Sequence, residues 1–253
     1  MDSFIHTSIN GESTPEQTVE EYDTLIHMAR CAVFIDCIGG FFNTAVQDIK
    51  KGSAIGIDSQ VAFGHHQEVT LLSISTQTRV YQFDILKLGM AAFDSGLRSI
   101  LEGSIQKVIH NSRRLASCLN RKYMVKLANV FDTQVGELFI EKNFCGEFPQ
   151  YMCSLTECMK VFLGLTIDRA QFNNNDKVMW IKRPLSPSLK INAAQNAVFL
   201  LPLQKCMKTK MLSSLMQQGT NIFQKIVRDA SNDEAVQHIG RNYLVPQEFL
   251  QVE

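Results

Sequence analysis

Asp58 and Gln60 lie at the end of a predicted β-strand, in the segment SAIGIDSQ at positions 53–60. Because side chains two residues apart point to the same side of a strand, both groups reach one point at its end. A second carboxylate at position 60 would give two hard oxygen ligands, which divalent cations prefer. Gln60 keeps an acceptor oxygen but carries no charge, so the pair is incomplete as a metal site.

The chemistry that such a pair would serve is two-metal cleavage of a phosphodiester, which needs three or four converging carboxylates. The other acids near predicted strand ends offer weak support for it. Asp84 ends a strand and Asp132 is expected to cap the following helix, so structural roles explain both. Glu68 is the least implausible substitute, and we expect it to be a solvated loop residue. His110 is expected to be a hydrogen-bonded histidine at a strand end.

The elements around these residues alternate in a way that predicts a mixed α/β fold. Three strand-like segments come first, and the short polar link Gln77-Thr78 between the last two favours an antiparallel hairpin. A helical segment ending at Gly103 follows, and then two strands separated by a helix, which favours parallel pairing. The strand segments are SAIGIDSQ, EVTLLSIST, RVYQFDI, IQKVIH and LANVFD. We therefore predict a mixed sheet of three antiparallel and then two parallel strands, flanked by helices.

The two ends of the chain are predicted to be mainly helical. Thr14 and Pro15 have the residue types of a helix N-cap and first turn. A strand is expected within 31–39 and a helix within 41–52. Every element after LANVFD is expected to be helical, and Pro202 should break or kink the long segment that contains it.

Composition indicates a neutral globular protein. The 253 residues suit one large domain, and 25 Lys and Arg balance 25 Asp and Glu, so the net charge favours neither nucleic acid nor membranes. No apolar run approaches the roughly 20 residues of a membrane span, and the first residues do not resemble a secretory signal. The seven Cys form no C-x-x-C pair, so we expect buried reduced thiols rather than a zinc site or disulfides. We expect an intracellular protein.

Four segments, in order, resemble the DEDD-type (ribonuclease D-like) 3′–5′ exonuclease family. They are IGIDSQ, KVIHNSRRLASCL, NVFDTQV and LKINAAQNAVFLLPL. The resemblance implies a ribonuclease H-like fold, with D-x-E on the first strand of the site, an Asp in H-x-x-x-x-D, and Y-x-x-x-D on a late helix. With it we divide the chain into an N-terminal helical extension, a degenerate exonuclease domain and a C-terminal helical extension, at residues 1–30, 31–216 and 217–253.

The residues that this resemblance assigns to the metal site are mostly replaced. Asp58 matches the Asp of D-x-E, whereas Gln60 stands at its Glu and Leu115 at the Asp of the second motif. In the third motif Asn192 stands at the Tyr and Asn196 at the last Asp. Asp58 alone remains of four carboxylates, and Asn192 is too short to position a water as the family's Tyr does. The resemblance therefore implies an inactive site without catalytic residues, metal or cofactor.

A local basic stripe remains that could hold a nucleic-acid strand without cutting it. On the helix after His110, the apolar residues Leu115, Cys118 and Leu119 are expected to face inward and the cations outward. The expected RNA-binding residues are Arg113, Arg114, Arg121, Lys122, Lys126, Lys182, Arg183 and Lys190. Phosphate contacts supply much of nucleic-acid affinity, so single-stranded RNA is the expected ligand. An ordinary solvated face is an equal alternative.

Three segments are also similar to a germline group of exonuclease 3′–5′ domain-containing proteins of the piRNA pathway. They are VFIDCIGGFF, STQTRVYQFDILKLG and NVFDTQV. This resemblance implies an RNA-binding adaptor in small-RNA biogenesis, with PIWI- or Tudor-type protein partners, in the cytoplasm or in germ granules. Fuller members carry an N-terminal Lsm-like portion that is not recognised in this sequence, which points to a fragment or a shorter form.

Two other functions stay open. One is an active metal-dependent 3′–5′ exoribonuclease with relocated carboxylates, and the other is a protein-interaction module without affinity for RNA. The C-terminal helix adds a candidate homodimer surface, because its apolar residues recur at helical spacing, although such a stripe also suits a core. Those residues are Met211, Leu212, Leu215, Met216, Ile222, Phe223 and Ile226.

Overall fold

The computed structural model describes residues 19–61, 68–166, 178–228 and 231. In this part of the chain, helices cover both faces of a six-stranded sheet. The strands are β1 (Val33–Ile35), β2 (Ala54–Val61), β3 (Val69–Ser75), β4 (Val80–Phe83), β5 (Gln106–Ile109) and β6 (Val130–Asp132). The helices are α1 (Val19–Arg30), α2 (Gly40–Ile49), α3 (Ile85–Leu88), α4 (Met90–Ala92), α5 (Arg98–Glu102), α6 (Arg113–Tyr123), α7 (Thr133–Cys145), α8 (Leu155–Leu163), α9 (Pro187–Val198) and α10 (Leu200–Arg228).

The sheet has the order β1-β4-β3-β2-β5-β6 and is mixed, as the sequence predicts. β3 pairs antiparallel with β2 and β4, and β5 pairs parallel with β2 and β6. The strand expected within 31–39 is shorter than predicted, because only Val33–Ile35 pair with β4, in parallel. Since every strand except β3 runs in the same direction, five strands end at one edge, which we call the carboxyl edge.

β3 is buried along its whole length because helices cover both of its faces. On one face Leu71 packs with Leu189 and Ala193 of α9. On the other face Leu72 and Ile74 belong to the main core, to which α2, α5 and α6 also contribute side chains. Burial on both faces explains why VTLLSIS does not alternate between apolar and charged residues.

The prediction of one continuous helix before Gly103 is wrong, because the helix is interrupted. The structure divides this segment into α4, a π-helical turn at Phe93–Leu97 and α5. Gly96 lies in the π-helical turn with a φ of 141°, which only glycine adopts readily. A Cβ atom on Gly96 would lie 2.7 Å from Cγ1 of Val46, so the glycine also lets α2 approach closely.

The long C-terminal segment is divided where Pro202 predicts a break. Phe199 separates α9 from α10, and Pro202 lies in the first turn of α10. A first-turn residue has no intrahelical partner for its N–H, the group that proline lacks. α10 spans 29 residues. Neither it nor any other helix in the described ranges combines the length and apolar character that a bilayer crossing requires.

α1 belongs to the folded body rather than extending away from it. It packs against α9, and the ring of Tyr22 stacks on that of Phe199 with centroids 5.9 Å apart. Thr14 and Pro15, which are predicted to start this helix, lie outside the described residues. The division of the chain at residues 30 and 216 stays a prediction.

The cysteines are free thiols, but only some of them are buried. Cys118 and Cys158 are buried, whereas Cys31, Cys37 and Cys145 are exposed. The expectation of buried thiols is therefore wrong for these three. The sequence could not distinguish the two groups, because the residues next to a cysteine do not show whether its thiol is buried.

We predict that Gly56→Ala lowers the free energy of unfolding by about 1–3 kcal/mol, because the added methyl group overpacks the contact between β2 and α9. Its Cβ would lie 2.5 Å from both the carbonyl oxygen of Ala197 and Oγ of Ser75, which are themselves hydrogen-bonded at 2.7 Å. Denaturant unfolding measures the change. Gly40→Ala is the matched control, because nothing lies within 4 Å of its Cβ position. Equal unfolding midpoints for the two variants would contradict the prediction.

Candidate functional site

Asp58 and Gln60 lie near the carboxyl edge on the face of β2 that α9 and α10 cover. Gly56 shares this face, and its Cβ position lies against the carbonyl oxygen of Ala197 and Cβ of Leu200. Nε2 of Gln60 donates a hydrogen bond of 2.7 Å to Oδ2 of Asp58. The carboxylate therefore has a neutral protein donor where the resemblance expects a second acid.

The other replaced positions differ in their surroundings. Leu115 is 2% exposed and belongs to the main core, as do Cys118 and Leu119 on the same face of α6. On α9, Asn192 is half-buried, and Oδ1 of Asn196 is buried without a hydrogen-bond partner among the described residues. Position 115 therefore offers no oxygen ligand, and position 196 offers a neutral one.

This donor set does not fit a pair of divalent cations. Holding two such ions close together takes several converging carboxylates, because each ion gives up part of its hydration. Asp58 supplies the one negative charge of the five positions, and Gln60, Asn192 and Asn196 supply amides. Within the described ranges, no three His, Cys, Asp or Glu side chains come together as metal ligands.

Asp132 is a structural acid, as the sequence predicts. Asp132 is the N-cap of α7, and its Oδ1 accepts hydrogen bonds from the backbone N–H groups of Gln134 and Asn111. Its Oδ2 accepts from the N–H and the hydroxyl of Ser112 at 2.7 and 2.8 Å. The carboxylate therefore joins the start of α6 to the start of α7 and is saturated with protein donors.

His110 is hydrogen-bonded at the end of β5, which confirms the interpretation from sequence. Nε2 lies 3.2 Å from the carbonyl oxygen of Cys153, so this nitrogen carries the proton. Nδ1 lies 2.9 Å from Oγ1 of Thr133 and accepts the hydroxyl proton. Burial lowers the pKa of His110, although the nearby Asp132 partly opposes this shift. The imidazole therefore links the end of β5 to Thr133 and Cys153.

The α6 stripe, as we call the cations at the surface of α6 and just after it, is present as predicted. It consists of Arg113, Arg114, Arg121, Lys122 and Lys126. All are exposed except Arg114, which is half-buried. Nε of Arg113 donates to Oδ1 of Asn111 at 3.0 Å, and Nη2 of Arg121 to Oγ of Ser117 at 2.6 Å. These partners are neutral, so they orient the guanidinium groups without cancelling their charge.

Glu68 forms an ion pair with Lys122, which corrects the expectation of a solvated loop residue. The pair joins the start of β3 to the last turn of α6. Both side chains are partly exposed, so the pair contributes little to stability. It does reduce the net charge at one end of the α6 stripe.

Arg183 has a buried structural partner, and its expected place among the RNA-binding residues stays a prediction. Its Nε and Nη2 each lie 2.7 Å from a carboxylate oxygen of Asp84, whose side chain is 2% exposed. The guanidinium also donates to the carbonyl oxygens of Trp180, Lys182 and Thr70. A buried acid at a strand end needs a compensating cation, and the planar guanidinium fork supplies one with two parallel hydrogen bonds.

The remaining residues of this second basic cluster have separate environments. Nζ of Lys190 lies 3.7 Å from the centroid of the Phe34 ring, in a cation–π contact at the edge of the sheet. Lys182 is exposed. The RNA-binding roles expected of Lys182 and Lys190 stay predictions.

The candidate homodimer residues on α10 are partly at the surface. Leu212, Leu215 and Met216 are exposed, whereas Met211 and Ile222 are half-buried. The side chains of the other two members lie outside the described residues. Dimer formation through this helix stays a prediction.

Sequence reasoning missed the exposed aromatic residues in the connection between α7 and α8. Phe148 and Tyr151 are both exposed there. The available signal is the tetrapeptide FPQY, in which two aromatic residues flank proline in a segment without apolar periodicity. A segment of this kind is expected to be a surface loop, so its large apolar side chains are expected to be exposed.

The chain is similar in sequence to a known protein family and to several characterised proteins. The profile of a family described as 3′–5′ exonuclease matches residues 41–212. The chain is similar to piRNA biogenesis protein EXD1 of Bombyx mori, at 35% identity over 222 residues that cover 86% of this chain and 69% of that protein. It is also similar to piRNA biogenesis protein EXD1 of Homo sapiens, at 35% identity over 184 residues that cover 69% of this chain and 36% of that protein.

The fold has solved counterparts. RNase D of Trypanosoma brucei in complex with GMP matches with a TM-score of 0.61 and 21% identity, over 72% of this chain and 58% of that one. This likeness confirms the predicted ribonuclease H-like fold. The chain spans about two thirds of the Bombyx mori relative and about a third of the human one.

We predict that Arg183→Ala lowers the free energy of unfolding by about 3–5 kcal/mol, because it leaves the buried Asp84 carboxylate without its cation. Chemical denaturation measures the change. Lys182→Ala, at the exposed neighbouring position, should change the free energy of unfolding by less than about 0.5 kcal/mol. An Arg183→Ala variant as stable as the Lys182→Ala variant would show that the ion pair has no structural role.

Proposed function

Because the chain belongs to the 3′–5′ exonuclease family, we propose that it is a catalytically inactive member that binds single-stranded RNA and acts as an adaptor in small-RNA biogenesis. The observation that carries the proposal is the hydrogen bond from Gln60 to Asp58. It places an amide beside the remaining acid of a site whose other positions hold Leu115, Asn192 and Asn196. One carboxylate does not offset the dehydration of two divalent cations.

RNA binding is supported by the α6 stripe. Its cations lie at the surface of a chain whose net charge is zero, so they form a local positive region. Phosphate contacts by such groups supply affinity without any metal ion. Replacing three carboxylates by neutral side chains also removes repulsion between the site and a phosphate backbone.

A role in small-RNA biogenesis is supported by the two relatives named as piRNA biogenesis proteins. The resemblance to that group is the reason for proposing an adaptor with PIWI- or Tudor-type protein partners and a cytoplasmic location that includes germ granules. Self-association through α10 would place two copies of the α6 stripe in one particle, which would raise the affinity for a long RNA by avidity.

We predict that titration with Mn²⁺ gives no saturable binding of two ions, and that labelled single-stranded RNA is not shortened at stoichiometric protein. The reason is the single negative charge among the five site positions. Calorimetry and gel analysis with Mg²⁺ or Mn²⁺ measure the two quantities, with an active exonuclease of the same fold as positive control. Shortening from the 3′ end that Asp58→Ala abolishes would instead establish an active enzyme with relocated carboxylates.

We predict measurable binding of single-stranded RNA, with log Kd rising linearly with log salt concentration. Reversing three cations in Arg113→Glu, Arg114→Glu and Arg121→Glu should weaken binding roughly 100-fold and reduce the salt slope by about 2. Filter binding across a salt series measures both.

The matched control reverses Lys50, Lys51 and Lys205, which are exposed outside the α6 stripe and give the same change in net charge. Equal losses in the two triple variants would mean that the α6 stripe is an ordinary solvated face. No binding of the unmodified protein at low salt would favour the protein-interaction module.

A further inference from the structure

Three exposed aromatic side chains and one exposed methionine lie on α7 and in the connection that follows it, and we call this group the aromatic platform. It consists of Phe139 on α7 and of Phe148, Tyr151 and Met152 in the connection to α8. Phe148 is 53% exposed and Tyr151 62% exposed. The rings of Phe139 and Phe148 meet edge to face, with centroids 5.5 Å apart. Clustered large apolar side chains at a surface are typical of a binding site.

The connection that carries the platform is held by hydrogen bonds at its far end. The carbonyl oxygen of Cys153 accepts from Nε2 of His110 at 3.2 Å and from Nε2 of Gln134 at 2.9 Å. Ser154 then caps α8 in a capping box with Glu157. These bonds fix the backbone directly after Tyr151 and Met152, whose side chains lie at the surface.

Cations lie at both sides of the platform. Nζ of Lys142 is 5.1 Å from the centroid of the Phe148 ring. Nη2 of Arg113, the first residue of the α6 stripe, is 3.7 Å from Sδ of Met152. Acids also lie near the connection, because Glu141 and Glu157 act electrostatically on Cys153. The positive charge beside the platform therefore comes from Lys142 and Arg113, and these cations next to exposed rings suit a ligand that has both phosphates and flat apolar groups.

We propose that unpaired bases of single-stranded RNA stack on Phe148 and Tyr151 while the adjoining phosphates follow the α6 stripe. The inference rests on the proposed RNA binding and adds how the protein distinguishes single strands from duplexes. Aromatic rings accept any base because every base has a flat face, so this contact is tolerant of sequence. Bases in a duplex are already stacked and paired, and they cannot reach the rings.

The test compares two oligoribonucleotides of equal length and charge, one with bases and one made of abasic residues. The unmodified protein should bind the strand with bases more tightly. Phe148→Ala and Tyr151→Ala should each weaken that binding about 5-fold or more. Neither change should affect the abasic strand or the salt slope, because the phosphate contacts remain. Fluorescence anisotropy with the full chain measures all of these affinities.

Phe41→Ala is the matched control, because Phe41 is 82% exposed at the start of α2, which follows the opposite edge strand of the sheet. It should leave both affinities unchanged. Stacking is overturned if the platform variants bind both strands as the unmodified protein does, or lose affinity for both equally. If the unmodified protein binds neither strand at low salt, the proposed RNA binding itself fails.

Discussion

A carboxylate near the end of a buried strand is stable only if cations or hydrogen-bond donors compensate its lost hydration. This requirement explains the contacts of the acids at the carboxyl edge of the sheet. Asp84 is met by the guanidinium of Arg183, Asp132 by backbone and hydroxyl donors, and Asp58 by the amide of Gln60. The resemblance to 3′–5′ exonucleases predicts divalent cations at this edge. Here each of these three acids has hydrogen-bond donors within the protein.

The replacements keep the shape of the site while removing its charge. Gln and Asn have nearly the size of Glu and Asp, and Leu115 completes the apolar face of α6. The close contact between Gly56 and Ala197 keeps α9 against the sheet. Packing and metal affinity depend on different properties of the same side chains, so the fold can be kept while the charge at these positions changes. This separation is the physical basis of the proposed function.

Much of the fold could be predicted from local patterns, whereas contacts between distant residues could not. Alternating strands and helices, the cap at Asp132 and the inward face of α6 each leave a signal within a few residues of sequence. The partner of Asp84 lies 99 residues away, and no local pattern points to Arg183. The close approach of Gly96 to Val46 of α2 is also a contact between residues distant in sequence. Exposure of Phe148 likewise depends on where the tertiary structure holds its loop.

The outermost strands of the sheet, Val33–Ile35 and Val130–Asp132, have three residues each. Short edge strands expose few unpaired backbone N–H and C=O groups. They therefore disfavour pairing with strands of other chains and the formation of fibrils. The two outer strands therefore offer little backbone for pairing with another chain, and contacts with partners would be formed by the helices and loops.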